Sequence, residues 1–209
     1  MKALAPLLAA GSLLLAGCST TSLNEDECRT VDWRTVGYED GVAGRSGERI
    51  GDHRKACAEY GIAPDLEAYR AGRADGLREF CQPHNGYRAG VNGTPYYDSC
   101  PADLAPAFVE AYDSGRQLYL RTRRVTDAEA GIEYRRREIV RLEDALARKT
   151  FTVVGDTATP EERAQALLDT KQVAERIGRL KAEITDLEKE RARAQHELDT
   201  YRATVASAY

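Results

Sequence analysis

Hydrophobic positions in the C-terminal half of the chain recur in alternating steps of three and four. Val173, Ile177, Leu180, Ile184, Leu187, Ala194, Leu198, Tyr201 and Val205 form one seam, with Arg191 at a single polar step. A heptad sustained over more than four repeats is the strong form of the coiled-coil signal. Upstream, Val125, Ala128, Ile132, Ile139, Leu142 and Leu146 keep the same spacing, with Arg135 filling one step. The pattern predicts one helix over 104–149 and a second from about Pro160 to Ala206. Between them Phe151-Thr152-Val153-Val154-Gly155-Asp156 is expected to break the first helix, being β-branched and then glycine. Thr159-Pro160-Glu161-Glu162 suits the start of the second, with Thr159 as cap, Pro160 in the first turn and Glu162 closing a capping box. Two helices of roughly 65–70 Å joined by a short linker predict an antiparallel hairpin. Folding about residue 155 would set Ile139 opposite Lys171 and Phe108 opposite Tyr201.

Residues 28–120 follow a different pattern, an aromatic with glycine three residues later. Tyr38 leads to Gly41 and Gly44, Tyr69 to Gly72 and Gly76, Tyr87 to Gly90, and Tyr112 to Gly115. The intervals are too irregular for a solenoid, which needs a fixed period. Spacings of three and four put each tyrosine and its glycines on one helical face. Glycine inside a helix costs about 1 kcal/mol relative to Ala, so these positions imply close approach by a neighbouring helix. Helices are predicted near 32–45, 48–60 and 64–80. Residues 82–101 carry turn chemistry (Gln82-Pro83-His84-Asn85-Gly86, Asn92-Gly93-Thr94-Pro95, Cys100-Pro101) and are expected to be irregular. Tyr87, Tyr96 and Tyr97 would then lie on a loop, where they could stack on sugar rings or fill a protein interface.

The N-terminus sets the compartment. Lys2 precedes an uncharged run from Leu4 to Leu15, the layout of a signal peptide. The run is too short to span a bilayer, and no later segment reaches 18 apolar residues. Leu15-Ala16-Gly17-Cys18 resembles the lipobox of bacterial lipoproteins. The resemblance implies cleavage before Cys18, a diacylglycerol thioether on its thiol and an acylated new amine, hence a membrane lipid anchor. Ser19 in place of Asp resembles sorting to the outer membrane of a Gram-negative cell. Removing residues 1–17 takes Lys2 away and moves the formal net charge from −4 to −5. No basic domain suggests nucleic acid.

Cys28, Cys57, Cys81 and Cys100 remain, an even number in an oxidising compartment. Of the three connectivities, Cys28–Cys57 with Cys81–Cys100 is favoured. Each bridge then closes a local loop of about 20–30 residues and contributes on the order of 2–4 kcal/mol. The alternative is zinc held by His53, Cys57, Cys81 and His84. That reading strands Cys28 and Cys100. Asp40-Gly41 and Asp75-Gly76 offer two carboxylates for a glycan hydrolase. His196 lies outside the heptad seam. No constellation reads as an enzyme, and no cofactor is implied.

Several spaced motifs occur together in one order. They are Asp32-Trp33 with Gly37-Tyr38-Glu39-Asp40-Gly41-Val42-Ala43-Gly44, His53-Arg54-Lys55-Ala56-Cys57, and Pro64-Asp65 with Ala68-Tyr69-Arg70-Ala71-Gly72. Gly76-Leu77-Arg78-Glu79-Phe80-Cys81, Asn85-Gly86-Tyr87-Arg88-Ala89-Gly90, Cys100-Pro101, Phe108 and Ala111-Tyr112 follow. From residue 18 to about 119 the chain resembles a family of bacterial lipoproteins catalogued as domain of unknown function 2799. The resemblance implies an envelope lipoprotein and transfers no catalytic residue.

The expected architecture is all-α. A signal peptide (1–17) and a lipidated tether (18–27) lead into a disulfide-stapled Tyr/Gly-rich helical domain (28–103). A long antiparallel coiled-coil hairpin (104–209) follows, with its tip near 150–159. The expected role is a structural or protein-interaction module that meets an envelope protein or a second copy through the coiled coil. Peptidoglycan binding through the tyrosine loop is the alternative.

Overall fold

The computed structural model describes residues 23–154 and 158–205. The predicted signal segment, Cys18 and residues 155–157 of the predicted tip lie outside them. Among the described residues all regular structure is helical: α1 (Glu25–Thr30), α2 (Trp33–Val42), α3 (Arg49–Ala58), α4 (Leu66–Phe80), α5 (Pro83–Val91), α6 (Ala105–Val154) and α7 (Pro160–Val205). No helix among them is long and apolar enough to cross a membrane.

The stretch expected to be a tether already folds at Glu25. Asn24 caps α1 through a capping box with Glu27, so the acids there are first-turn charges on the positive end of a helix. Asp32 and Asp65 cap α2 and α4 in the same side-chain fashion.

Residues 82–101 are not irregular throughout. Pro83 opens α5, because proline's fixed φ suits the first turn and its missing N–H is not needed there. The helix tolerates Gly86 and Gly90 because α6 lies against them. A Cβ on Gly86 would overlap the Phe108 carbonyl oxygen, and one on Gly90 the Tyr112 carbonyl oxygen.

The same device joins α2 to α4. A Cβ on Gly37 would overlap the Tyr69 carbonyl oxygen, one on Gly72 that of Arg34, and one on Gly76 that of Tyr38. The two pairs match position for position at most of these contacts, with Ala111 standing where the first pair has Gly72. Gly37, Gly41 and Gly44 correspond to Gly86, Gly90 and Gly93, while Tyr69, Gly76 and Phe80 correspond to Phe108, Gly115 and Tyr119. Gly44 (φ 63°) and Gly93 (φ 68°) both turn the chain left-handed after their helix, where an aromatic ring (Phe80 or Tyr119) covers the bare backbone. Both turns close with equivalent bonds, Arg45 N to Asp40 O and Thr94 N to Ala89 O, each 2.9 Å. The following carbonyls are also held alike, Arg45 O by the Arg73 guanidinium (2.8 Å) and Thr94 O by the Tyr112 hydroxyl (3.0 Å). The cysteine domain is therefore one helix-pair unit built twice.

Each unit carries a disulfide: Cys28–Cys57 in the first and Cys81–Cys100 in the second, with Cα separations of 5.6 and 5.7 Å. The first bridge lies in a core with Trp33 and Tyr69, the second in a core with Leu77 and Phe108.

The hairpin is present, with a later pivot than the sequence suggests. α6 does not break at Phe151 but runs to Val154, since β-branched residues lower helix propensity by only a few tenths of a kcal/mol. α7 then starts at Pro160, where Thr159 and Glu162 form the expected capping box. As a result Ile139 packs on Ile177 and Leu180, not near Lys171. The Tyr201 hydroxyl reaches Ser114 O at 2.9 Å, and Phe108 sits in the cysteine domain. Ion pairs Arg135–Glu183 (2.6 Å), Arg124–Glu197 and Lys149–Asp169 mark the register. The predicted α7 seam is buried at Ile177, Leu180, Ala194 and Leu198 and half-buried at its other apolar positions, while Arg191 turns out to solvent.

Close packing at the glycines separates their substitutions cleanly. Gly72→Ala should cost about 1–3 kcal/mol through overpacking against backbone. Gly178→Ala, with nothing within 4 Å of the new methyl, should gain about 0.5–1 kcal/mol. Denaturant unfolding of the two variants checks both signs.

Candidate functional site

Where the two units differ, the first is polar. Tyr69 and Phe108 occupy equivalent positions, and both are fully buried. In the second unit Phe108 packs on Tyr96 (ring centroids 4.9 Å) and Phe80 (5.1 Å), an apolar core. In the first unit the Tyr69 hydroxyl donates to Asp40 Oδ2 at 2.8 Å, and His53 Nε2 lies 2.9 Å from the same oxygen. The position equivalent to Asp40 is Ala89. His53 stands four residues before Cys57, as Tyr96 stands four before Cys100. The imidazole is packed edge-on between Trp33 (6.2 Å) and Tyr69 (6.1 Å). Arg49 Nε approaches the other carboxylate oxygen at 4.0 Å.

Burial raises the Asp40 carboxyl, but the hydrogen bonds from His53 and Tyr69 outweigh it and hold the group below its ordinary value. Burial, then the hydrogen bond and charge of Asp40, push the Tyr69 phenol far above its ordinary range. Asp40 is thus a half-buried acceptor serving two buried donors. The trio clamps α2, α3 and α4 together.

The other sequence-predicted residues are distributed as follows. The zinc set is not assembled: Cys57 and Cys81 are in different disulfides, His53 faces Asp40, and His84 is exposed on α5. Among the described residues no group of three metal-ligating side chains gathers. The carboxylate pair is not assembled either, because Asp75 is on the surface with Arg34 at 2.6 Å while Asp40 is clamped inside. The three tyrosines do not share one loop. Tyr87 is half-buried on α5, and Tyr96 packs on Phe108 and Tyr112 with its oxygen accepting from Cys100 N (3.3 Å). Tyr97 is exposed. Sequence reasoning passed over the Asp40–His53–Tyr69 cluster. The available signal was the pair of motifs Gly37-Tyr38-Glu39-Asp40-Gly41-Val42-Ala43-Gly44 and Gly86-Tyr87-Arg88-Ala89-Gly90-Val91-Asn92-Gly93, which differ at the half-buried Asp/Ala position.

One family model covers this doubled unit. Residues 32–117 match the family described as Protein of unknown function (DUF2799). The match begins at the cap of α2 and ends in α6 just after Gly115, so the DUF2799 region spans both glycine-crossed helix pairs and ends at the root of the hairpin. No curated protein and no solved structure matches the chain.

The polar clamp predicts a specific stability pattern. Tyr69→Phe, which copies the second unit, should cost about 1.5–3 kcal/mol by removing a hydrogen bond to a charged group. Asp40→Ala should cost more, about 3–5 kcal/mol, by stranding two buried donors. Because Asp40 titrates below its ordinary 3.8 when folded, its contribution is present above that pH and is lost as pH falls through the depressed folded value. Acid unfolding followed by circular dichroism should therefore begin at higher pH in Tyr69→Phe than in the parent.

Proposed function

We propose that this protein is a lipid-anchored envelope lipoprotein acting as a non-enzymatic interaction module, in which the DUF2799 domain holds a helical arm. The observation that carries the reading is the continuity of α6. Its first turns form the core of the second unit through Phe108, Tyr112 and Gly115. The same helix then runs to Val154 with α7 packed along it. A 50-residue helix is about 75 Å long, so domain and arm share one stiff element with no linker between them.

The arm's seam is buried within the chain, through Val125, Ala194 and Leu198 at one level and Ile139, Ile177 and Leu180 at another. Large apolar side chains nonetheless remain on its outside, with Tyr134, Val140, Leu167 and Leu168 each more than half exposed. Exposed aromatic and aliphatic side chains on a rigid support suit a protein partner. The Leu15-Ala16-Gly17-Cys18 signal supports the anchor, and Ser19 supports the outer membrane as its site.

Three linked measurements test this. Metabolic palmitate labelling should be lost in Cys18→Ala. Residues 19–209 should run as an elongated monomer in light scattering. A photo-crosslinking residue at Val140 or Leu168 should capture a discrete envelope protein, whereas one at Asp75 should not. Unchanged partners after deletion of residues 121–209, or retention on purified peptidoglycan that survives that deletion, would refute the arm as the working part.

A further inference from the structure

The two units meet at a groove of about 480 Å³. Its lining is mixed: Val42 and Ala43 at the end of α2, Phe80 at the end of α4 and Ala89 on α5 are apolar, while six further side chains, His84 and Asn92 among them, are polar or charged. Its walls carry opposite charges, Glu79 and Arg88. The volume is in the range of small-molecule sites, and polar and charged side chains make up more than half of the lining.

Among the described residues each of these exposed charges is oriented by a neutral side chain. The Tyr38 hydroxyl donates to Glu79 Oε1 at 2.8 Å, and the Asn85 side-chain oxygen accepts from Arg88 at 2.8 Å. Asn85 is itself tied down, its amide donating to Glu79 O at 3.0 Å. Among the described residues neither Glu79 nor Arg88 closes an ion pair, and each keeps unused capacity: the second carboxylate oxygen of Glu79 and further N–H groups of Arg88. A charge oriented by a second side chain and left unneutralised is pre-organised for a ligand charge, with little ordering cost at binding.

We propose that this inter-unit groove binds a zwitterionic short peptide or amino acid, its ammonium on Glu79, its carboxylate on Arg88 and its aliphatic part on Val42, Phe80 and Ala89. The complementarity is specific. An anion alone would leave Glu79 repelling it, a cation alone would meet Arg88, and a neutral glycan would leave both charges desolvated and unpaired. The site is independent of the arm proposed above, because α7 contributes nothing to it.

The test is amide-resolved NMR titration of the disulfide-intact protein, residues 19–209, with dialanine in both L,L and D,D forms. Saturable shifts should appear at Val42, Ala43, Ala89 and Asn92, with a Kd on the order of 1 mM for so small a ligand. Capping the amine by acetylation, or the carboxylate as its amide, should weaken binding about tenfold or more. Glu79→Gln should abolish the preference for the free amine, and Arg88→Gln the preference for the free carboxylate. Both side chains are exposed, so the variants keep the fold, which their unperturbed core resonances will show. Absence of saturable shifts in this groove, or capped dialanine binding the parent as well as the free peptide, overturns the proposal.

Discussion

Backbone-to-backbone contact between helices is the constraint on which the rest of the domain depends. α2 lies on α4, and α5 on α6, with carbonyl oxygens sitting where a Cβ would be. At these glycines no side chain fits, so little apolar surface is buried along the crossing itself. Stability there rests on dispersion and on weak Cα–H···O contacts, each of which is small. The apolar cores are pushed to the ends of the crossings, where Trp33 and Tyr69 gather in one unit and Leu77 and Phe108 in the other. Domains with small cores commonly need covalent help. The disulfides are placed inside those two cores: Cys57 and Cys81 are completely buried and act as core side chains as well as staples.

The helical arm inherits its direction from the same crossing. α6 is fixed against α5 by Gly86, Gly90 and Gly115 before it leaves the domain. Because the helix is continuous, whatever orients its first turns orients the arm. The Tyr201 hydroxyl on Ser114 O and the Arg121 guanidinium over the Tyr201 ring (4.2 Å) bring the end of α7 back to the same level and close the arm at its root.

The two units show how one backbone design carries different cores. Phe108 with Tyr96 and Ala89 makes an apolar core, while Tyr69 with His53 and Asp40 makes a polar one at matching positions. Burying a carboxylate is costly unless its hydrogen bonds are satisfied, and here one oxygen serves two donors. The second unit shows that this backbone does not require a buried charge. The first unit has an additional helix, α3, that needs holding; His53 is on it, and the Asp40 bond ties it to α2 and α4.

Local pattern alone determined most of the architecture. The heptad seam, the Thr159 capping box, the α4 cap at Asp65 and the two local disulfide loops all depend on residues close in sequence, so their physics is visible there. So is the demand for close packing at the glycines, since a helical glycine without compensation is unfavourable wherever it occurs. Four things depended on tertiary structure. α5 looked like a loop because Pro83, Gly86 and Gly90 are poor helix residues locally, and their compensation is the backbone of α6, far along the chain. The tyrosines looked like one surface, but Tyr96 is drawn into the core by Phe108 and Tyr112, leaving Tyr97 outside. The hairpin register shifted because heptads repeat, so any slip of seven residues preserves the seam. Only the true end of α6 and the cross-helix pairs such as Arg135–Glu183 select one register. The Asp40–His53–Tyr69 clamp belongs with these: its members come from three helices, and no local spacing brings a carboxylate, an imidazole and a phenol to one oxygen atom.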